Sequence, residues 1–194
     1  MSTSTQPAAE TVKILRNHLK TVQELYWASQ NIASADNLLY ELNRLLFKVM
    51  SAVGAKDGSI CRLDEQGGEL VFMLVHGELG RQLPDYRINS NTGIAGSVVN
   101  THEPVIVNDP RQDERFSQVV DTEFGFFTKS LASAPIMRRG VCKGVVQLLN
   151  KAGNNFNDED IVLMLILGQV AAIVFEALES RGAAASEEIE DLLA

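Results

Sequence analysis

The sequence predicts an α+β fold: a central antiparallel sheet of about six strands, helices packed on one face, and a short helix plus lid loop over a pocket on the other. Three observations predict it. Helical periodicity brackets the chain, with a broad apolar stripe from Leu38 to Val49 and an apolar run from Ile161 to Phe175. Between them the apolar period drops to two, in short runs joined by tight Gly-containing turns, the pattern of antiparallel hairpins. The remaining inner segments, a helix start at Gly93 and a long irregular connection ending at Gly125, are left to cover the opposite face, with room for a ligand beneath them.

The elements follow in order. Residues 1–9, rich in Ser, Thr, Ala and Pro, read as a disordered N-terminus. A helix over 10–33 places Val12, Leu15, Leu19, Val22 and Tyr26 at the 3-4-3-4 spacing of a short coiled-coil seam, with Lys13, Arg16 and Lys20 off it. Such a stripe suits a partner helix or packing onto the same domain. The main domain spans 34–181. It opens with a helix that Ser34 or Asp36 can cap, whose Leu38, Leu39, Leu42, Leu45, Leu46 and Val49 form a sheet-packing face and which Gly54 stops.

"DGSICRLDEQGGELVFMLVHG" reads as two strands around a turn from Asp64 to Gly68, and "LPDYRI" as a short strand with Pro84 at its edge. In "NTGIAGSVVNTHEP", Asn91 or Thr92 can cap a helix, and Gly93, Ala95 and Gly96 leave its N–H groups accessible, a ready anion site. Pro104 ends that helix, "VIVND" is a brief strand, and "PRQDERFSQVVDTEFG" is the long connection with one helical turn. "SLASAPIM" and "VCKGVVQLLN" form a second hairpin around Arg138, Arg139 and Gly140. Asn157 caps a final helix from Asp158 to about Arg181, and 182–194 read as a linker with a short acidic amphipathic tail.

With 194 residues, 45 % of them hydrophobic and 22 % charged, the chain can bury one sizeable core. A net charge of -8 and a pI near 4.9 exclude a broad nucleic-acid or anionic-membrane surface, while leaving room for one small anionic ligand. Cys61 and Cys142 lie in apolar strand-like runs and read as buried free thiols of a reducing compartment. The N-terminus lacks a basic start followed by an apolar stretch, and the run from Ile161 to Phe175 is short for a bilayer span, so a cytoplasmic location and no membrane contact are expected.

Enzyme signals are weak. His18, His76 and His102 lie in different elements without metal-ligand spacing, and no GxSxG, HExxH or P-loop occurs, so no catalytic or metal-binding residue is expected. "NNFNDED" lacks the regular ligand spacing of a calcium loop and reads as a helix cap. Binding signals are better: "DTEFGFFTKS" brings three Phe residues and the polar Asp121, Thr128 and Ser130 into the lid, where rings can stack on a flat ligand.

From "YRINSNTGIAGSVV" through "NDPRQDERF", Asp121, Gly125, Thr128 and "APIM" to "GVVQLLNK", the chain resembles the GAF domains, small-ligand sensors of signalling proteins. The resemblance covers about 35–178. It implies an antiparallel sheet, a pocket under a helix-and-loop lid, and flanking helices that mediate homodimers. Asn150, Lys151, Phe156 and Asp160 are similar to the Asn-Lys…Phe…Asp-Glu motif of the cyclic-nucleotide-binding branch, with Ile161 where the motif ends in Glu. In that branch the lysine and aspartate support the lid by a salt bridge. An ammonium at a strand end can face a carboxylate in a helix's first turn, and as an exposed pair this is worth roughly 0.2–1 kcal/mol.

The resemblance further implies ligand contacts from Ser59 and His76 on the first hairpin, Ile94 and Ala95 at the short helix, and Asp121 and Thr128 in the lid. Cyclic GMP or cyclic AMP is the candidate ligand, with no other cofactor expected and a signalling partner or output domain downstream. Neither cysteine precedes a histidine as in bilin-binding members, and "GIAG" carries no cysteine where sulfoxide-reducing members place one. The alternative expectation is a non-catalytic dimerisation or scaffold module with a vestigial pocket.

Overall fold

The computed structural model describes residues 5–31, 37–64, 66 and 68–193. Its elements are α1 (Thr5–Asn31), α2 (Leu38–Val53), β1 (Ala55–Asp64), β2 (Glu69–His76), β3 (Arg87–Asn89), α3 (Gly93–Thr101), β4 (Val105–Val107), α4 (Val119–Phe124), β5 (Leu131–Arg138), β6 (Val141–Lys151) and α5 (Asp158–Leu193), with a 3-10 turn at Pro110–Gln112. The six strands form one sheet in the order β3-β2-β1-β6-β5-β4, and every pairing is antiparallel. The predicted α+β class, strand number and hairpins are therefore borne out.

Local chemistry sets the boundaries. The side chain of Asn37 accepts from the Tyr40 N–H at 3.0 Å and caps α2, one residue after the expected region; Ser34 and Asp36 lie outside the described residues. Gly54 closes the same helix in the left-handed region, φ 82°, donating to the Met50 carbonyl. Between β5 and β6 the chain reverses over Arg139 and Gly140, both at positive φ, the two-residue geometry that matches strand twist. At the start of α5 the side chain of Asn157 accepts from the Asp160 N–H at 3.1 Å while the Asp160 carboxylate accepts from the Asn157 N–H at 3.0 Å. This reciprocal capping box confirms the expected cap. Helix α1 begins at Thr5 and α5 runs to Leu193, so helical backbone extends beyond the limits drawn from the sequence at both ends.

The alternation of each strand sorts side chains into two cores. Toward the helices point Ile60, Ala132, Ala134, Ile136, Val146 and Leu148, packed against α2 and the buried face of α5. The small side chains of β5 let α5 sit close; a Cβ on Gly168 would stand 3.0 Å from the Pro135 carbonyl oxygen. By length and composition Asp158–Arg181 could cross a membrane, yet Leu163, Met164, Leu167, Val170 and Val174 lie in the protein core. Toward the other face point Cys61, Phe72 and Val145, under α3 and the lid.

Helix α1 packs on its own domain through Thr21, Leu25 and the half-buried Val22, which leaves Leu19 and Tyr26 of the predicted seam 59 % and 67 % exposed beside Trp27. Val12 and Leu15 have side chains outside the described set. Both cysteines are free and buried. Burial pushes the Cys61 thiol up to about 12 against a weaker opposing contact from Ser59, and burial also raises Cys142, so neither is a thiolate at neutral pH.

Candidate functional site

A cavity of about 330 Å3 lies between the second face of the sheet and the lid. Its size falls in the range of small-molecule sites, roughly 300–1,000 Å3. The floor comes from alternate residues of the central strands, Ser59 on β1 with Gln147 and Leu149 on β6. Phe72 and Val75 of β2 and Tyr86 form one wall, and α3 with residues 116–128 forms the roof.

Helix α3 meets the cavity with its N-terminus. Gly93, Ile94 and Ala95 line it, and their N–H groups belong to the first turn, which has no intrahelical acceptor. Thr92 holds the N-cap position without a side-chain capping bond, its hydroxyl going instead to the Asn89 carbonyl. The Gly96 N–H is taken by the Thr92 carbonyl at 3.1 Å, so three donors remain, not the wider set the glycines suggested. Gly96 serves close packing: a Cβ there would meet the Ser90 carbonyl oxygen at 2.9 Å. Gly93, at φ +72°, makes the turn that aims the helix.

The lid is tied internally. Asp121, buried in α4, accepts from the Thr128 hydroxyl at 2.7 Å, the Thr128 N–H at 3.0 Å and Arg111 Nη2 at 2.6 Å. The Arg111 guanidinium lies between the rings of Phe116 and Phe127, at 5.2 and 4.8 Å. The Tyr86 hydroxyl donates to Glu123 while its ring meets Phe124 edge-on at 5.1 Å, which closes α4 against the wall. Of the three lid phenylalanines, Phe126 lines the cavity, Phe124 packs on Tyr86, and Phe127 stands 58 % exposed over Arg111.

The expected contact residues separate in position. Ser59, Ile94 and Ala95 are buried at the cavity surface. Asp121 and Thr128 also line it, but their polar atoms engage each other. His76 borders the cavity while its ring is held by α2, with Nε2 3.3 Å from the Asn43 carbonyl and the Phe47 ring 5.6 Å away.

The motif residues hold the junction between β6 and α5. Asn150, at φ 57°, donates to the Asp57 carboxylate at 3.0 Å and the Phe127 carbonyl at 3.3 Å, and accepts from the Lys129 N–H at 2.8 Å. Lys151 Nζ meets Asp160 Oδ2 at 2.6 Å, with the two side chains only 10 % and 2 % exposed. This corrects the expectation for an exposed pair: the ion pair is buried, and its desolvation makes each partner depend on the other. Phe156 is buried below it, its N–H and carbonyl both held by the Asn108 side chain, at 2.9 and 3.2 Å. Ile161, where the motif has Glu, joins the helical core.

Gln147, Asp57, Arg111 and Asn108 have no place in the sequence expectations. Gln147 carries a visible signal, a lone amide in the apolar run "GVVQLL" at a pocket-facing position, and among the described residues it forms no side-chain hydrogen bond. The other three reveal themselves only through partners distant in sequence.

A GAF domain family model matches residues 38–175. A "Probable 3′,5′-cyclic phosphodiesterase" of Caenorhabditis elegans is 38 % identical over 76 residues, 39 % of this chain and 10 % of the relative. The dual 3′,5′-cyclic-AMP and -GMP phosphodiesterase 11 of Drosophila melanogaster is 41 % identical over 81 residues, 41 % of this chain and 6 % of the relative. The chain thus spans a tenth or less of the length of these relatives. The GAF domain of a phosphoenolpyruvate-protein phosphotransferase from Coxiella burnetii superposes with a TM-score of 0.75 at 22 % identity, over 87 % of this chain and 98 % of that one. With a family model over most of the chain and a matching fold, the chain belongs to the GAF domain family.

Proposed function

We propose that the chain is a cytoplasmic sensor domain, residues 34–181, whose cavity binds a cyclic nucleotide and whose terminal helices, 10–33 and the C-terminal segment through 182–194, carry the response in a homodimer. One observation carries this reading: the cavity sets three N–H donors of a helix N-terminus opposite an unpartnered amide, Gln147, on an otherwise largely apolar surface. A phosphate suits the first and the hydrogen-bonding edge of a base the second. Ser59, Ile94, Ala95, Asp121 and Thr128 would line the ligand, with His76 at its border, and Asn150, Lys151, Phe156 and Asp160 would support the lid. The similarity to segments of cyclic-nucleotide phosphodiesterases supports the ligand class. No catalytic role is assigned to the chain itself.

Thermal unfolding with cyclic GMP, cyclic AMP and non-cyclic nucleotides tests it. A ligand at about 100 times its dissociation constant adds roughly 2.7 kcal/mol of stability. A shift with the cyclic compounds alone is expected, and no shift with any of them would leave the dimerisation or scaffold reading. That second reading draws on the outward-facing Leu19, Tyr26 and Trp27. Because Leu19 is exposed, Leu19→Asp should leave the fold intact and convert the dimer to monomer in analytical ultracentrifugation. A dimer that persists would place the interface elsewhere.

A further inference from the structure

Ser133 lies on β5 with its side chain fully buried, and among the described residues its hydroxyl has no hydrogen-bond partner. Buried polar groups in folded proteins are almost always paired, so an orphan of this kind asks for a reason. The sheet register supplies one. Ser133 stands directly opposite Gln147, which stands directly opposite Ser59. The three side chains form a row across β5, β6 and β1 on the cavity side of the sheet. Opposed residues on antiparallel strands have Cβ atoms about 4.5–5.5 Å apart, within reach of a glutamine amide. Among the described residues the Ser59 hydroxyl has a single hydrogen-bond contact, accepting from the Cys61 thiol at 3.9 Å. Beside a half-buried amide facing the cavity there is thus, among the described residues, a hydroxyl without a partner.

We propose that Ser133 is a positioning residue for Gln147: when a ligand enters, the Ser133 hydroxyl takes one end of the amide so that the other end is presented to the ligand. This rests on the base-reading role given to Gln147 above. A carboxamide has a donor end and an acceptor end, and whichever end meets the ligand, the other is enclosed with it. A serine hydroxyl can donate or accept, so it can serve either orientation. The row thereby fixes the position of the amide without fixing its direction. Ser133 does not line the cavity and touches no ligand itself; its effect passes through Gln147.

The test is a double-mutant cycle read by calorimetric titration with whichever of cyclic AMP and cyclic GMP binds the wild-type chain. Gln147→Leu should weaken that binding. Ser133→Ala should weaken it about three- to ten-fold in the wild-type background and leave it unchanged in the Gln147→Leu background. The ligand-free Ser133→Ala protein should melt no lower than wild type, since the hydroxyl it loses makes no bond there. Ser133→Cys, which keeps the volume but not a strong hydrogen bond, should bind as Ser133→Ala does. Wild-type affinity in Ser133→Ala, or an equal loss in both backgrounds, overturns the positioning role alone. Unaltered binding by Gln147→Leu, or no binding by the wild type, overturns the base-reading role and this one with it.

Discussion

Asp160→Ala is expected to cost roughly 3–5 kcal/mol of stability, because it leaves the Lys151 ammonium buried without its counter-charge. The same carboxylate accepts the Asn157 N–H, so the variant also opens the capping box that starts α5. For a domain of this size the loss should lower the melting temperature by about 6–20 °C. The double variant Lys151→Met/Asp160→Leu removes both charges together and should recover most of the loss, since an apolar pair of similar volume needs no desolvation. Urea unfolding of the single and double variants measures both. A loss below about 1 kcal/mol in Asp160→Ala would mean that the pair behaves as a solvated one.

Asn150→Ala is expected to cost about 4 kcal/mol. Three side-chain hydrogen bonds disappear, to Asp57, Phe127 and Lys129, each worth about 1 kcal/mol. An alanine must also hold φ near 57°, a left-handed position that costs an L-residue about 1–2 kcal/mol more. Asn150→Gly loses the bonds without the strain, so it should lie about 1–2 kcal/mol above Asn150→Ala. Equal stabilities for the two would show that the bend at 150 relaxes freely and that the hydrogen bonds alone matter. Because Phe127 and Lys129 belong to the lid and Asp57 to the floor, both variants should also reduce the stabilisation that a bound ligand provides.

These two residues show how far the sequence could be read. Asn157 was legible as a cap because its partner, Asp160, is three residues away and capping is local chemistry. The hairpin at Arg139 and Gly140 was legible for the same reason, as was the α3 start at Gly93. The burial of Lys151 was not. A lysine at a strand end looks solvent-facing until α5 and Phe156 close over it, and that closure belongs to tertiary packing. Likewise Asp57 gave no signal, because its partner Asn150 lies 93 residues away. Asp121 and Thr128 were placed in the lid from the sequence, but their mutual bonding depends on how the chain turns back at Gly125 after α4. In α1, the 3-4-3-4 pattern identified an apolar seam, while Leu25, off that seam, is what enters the core.

Both ends of the sheet are three residues long, Arg87–Asn89 on one side and Val105–Val107 on the other. An incoming strand would find a ladder of only three residues on either of these two strands. On the first edge Arg87 is held by Asp64 and Glu69, and on the second Pro104 and Pro110 bracket the strand. Short, charged and proline-flanked edges resist strand addition. The two outermost strands are therefore poor templates for edge pairing, which guards against runaway aggregation.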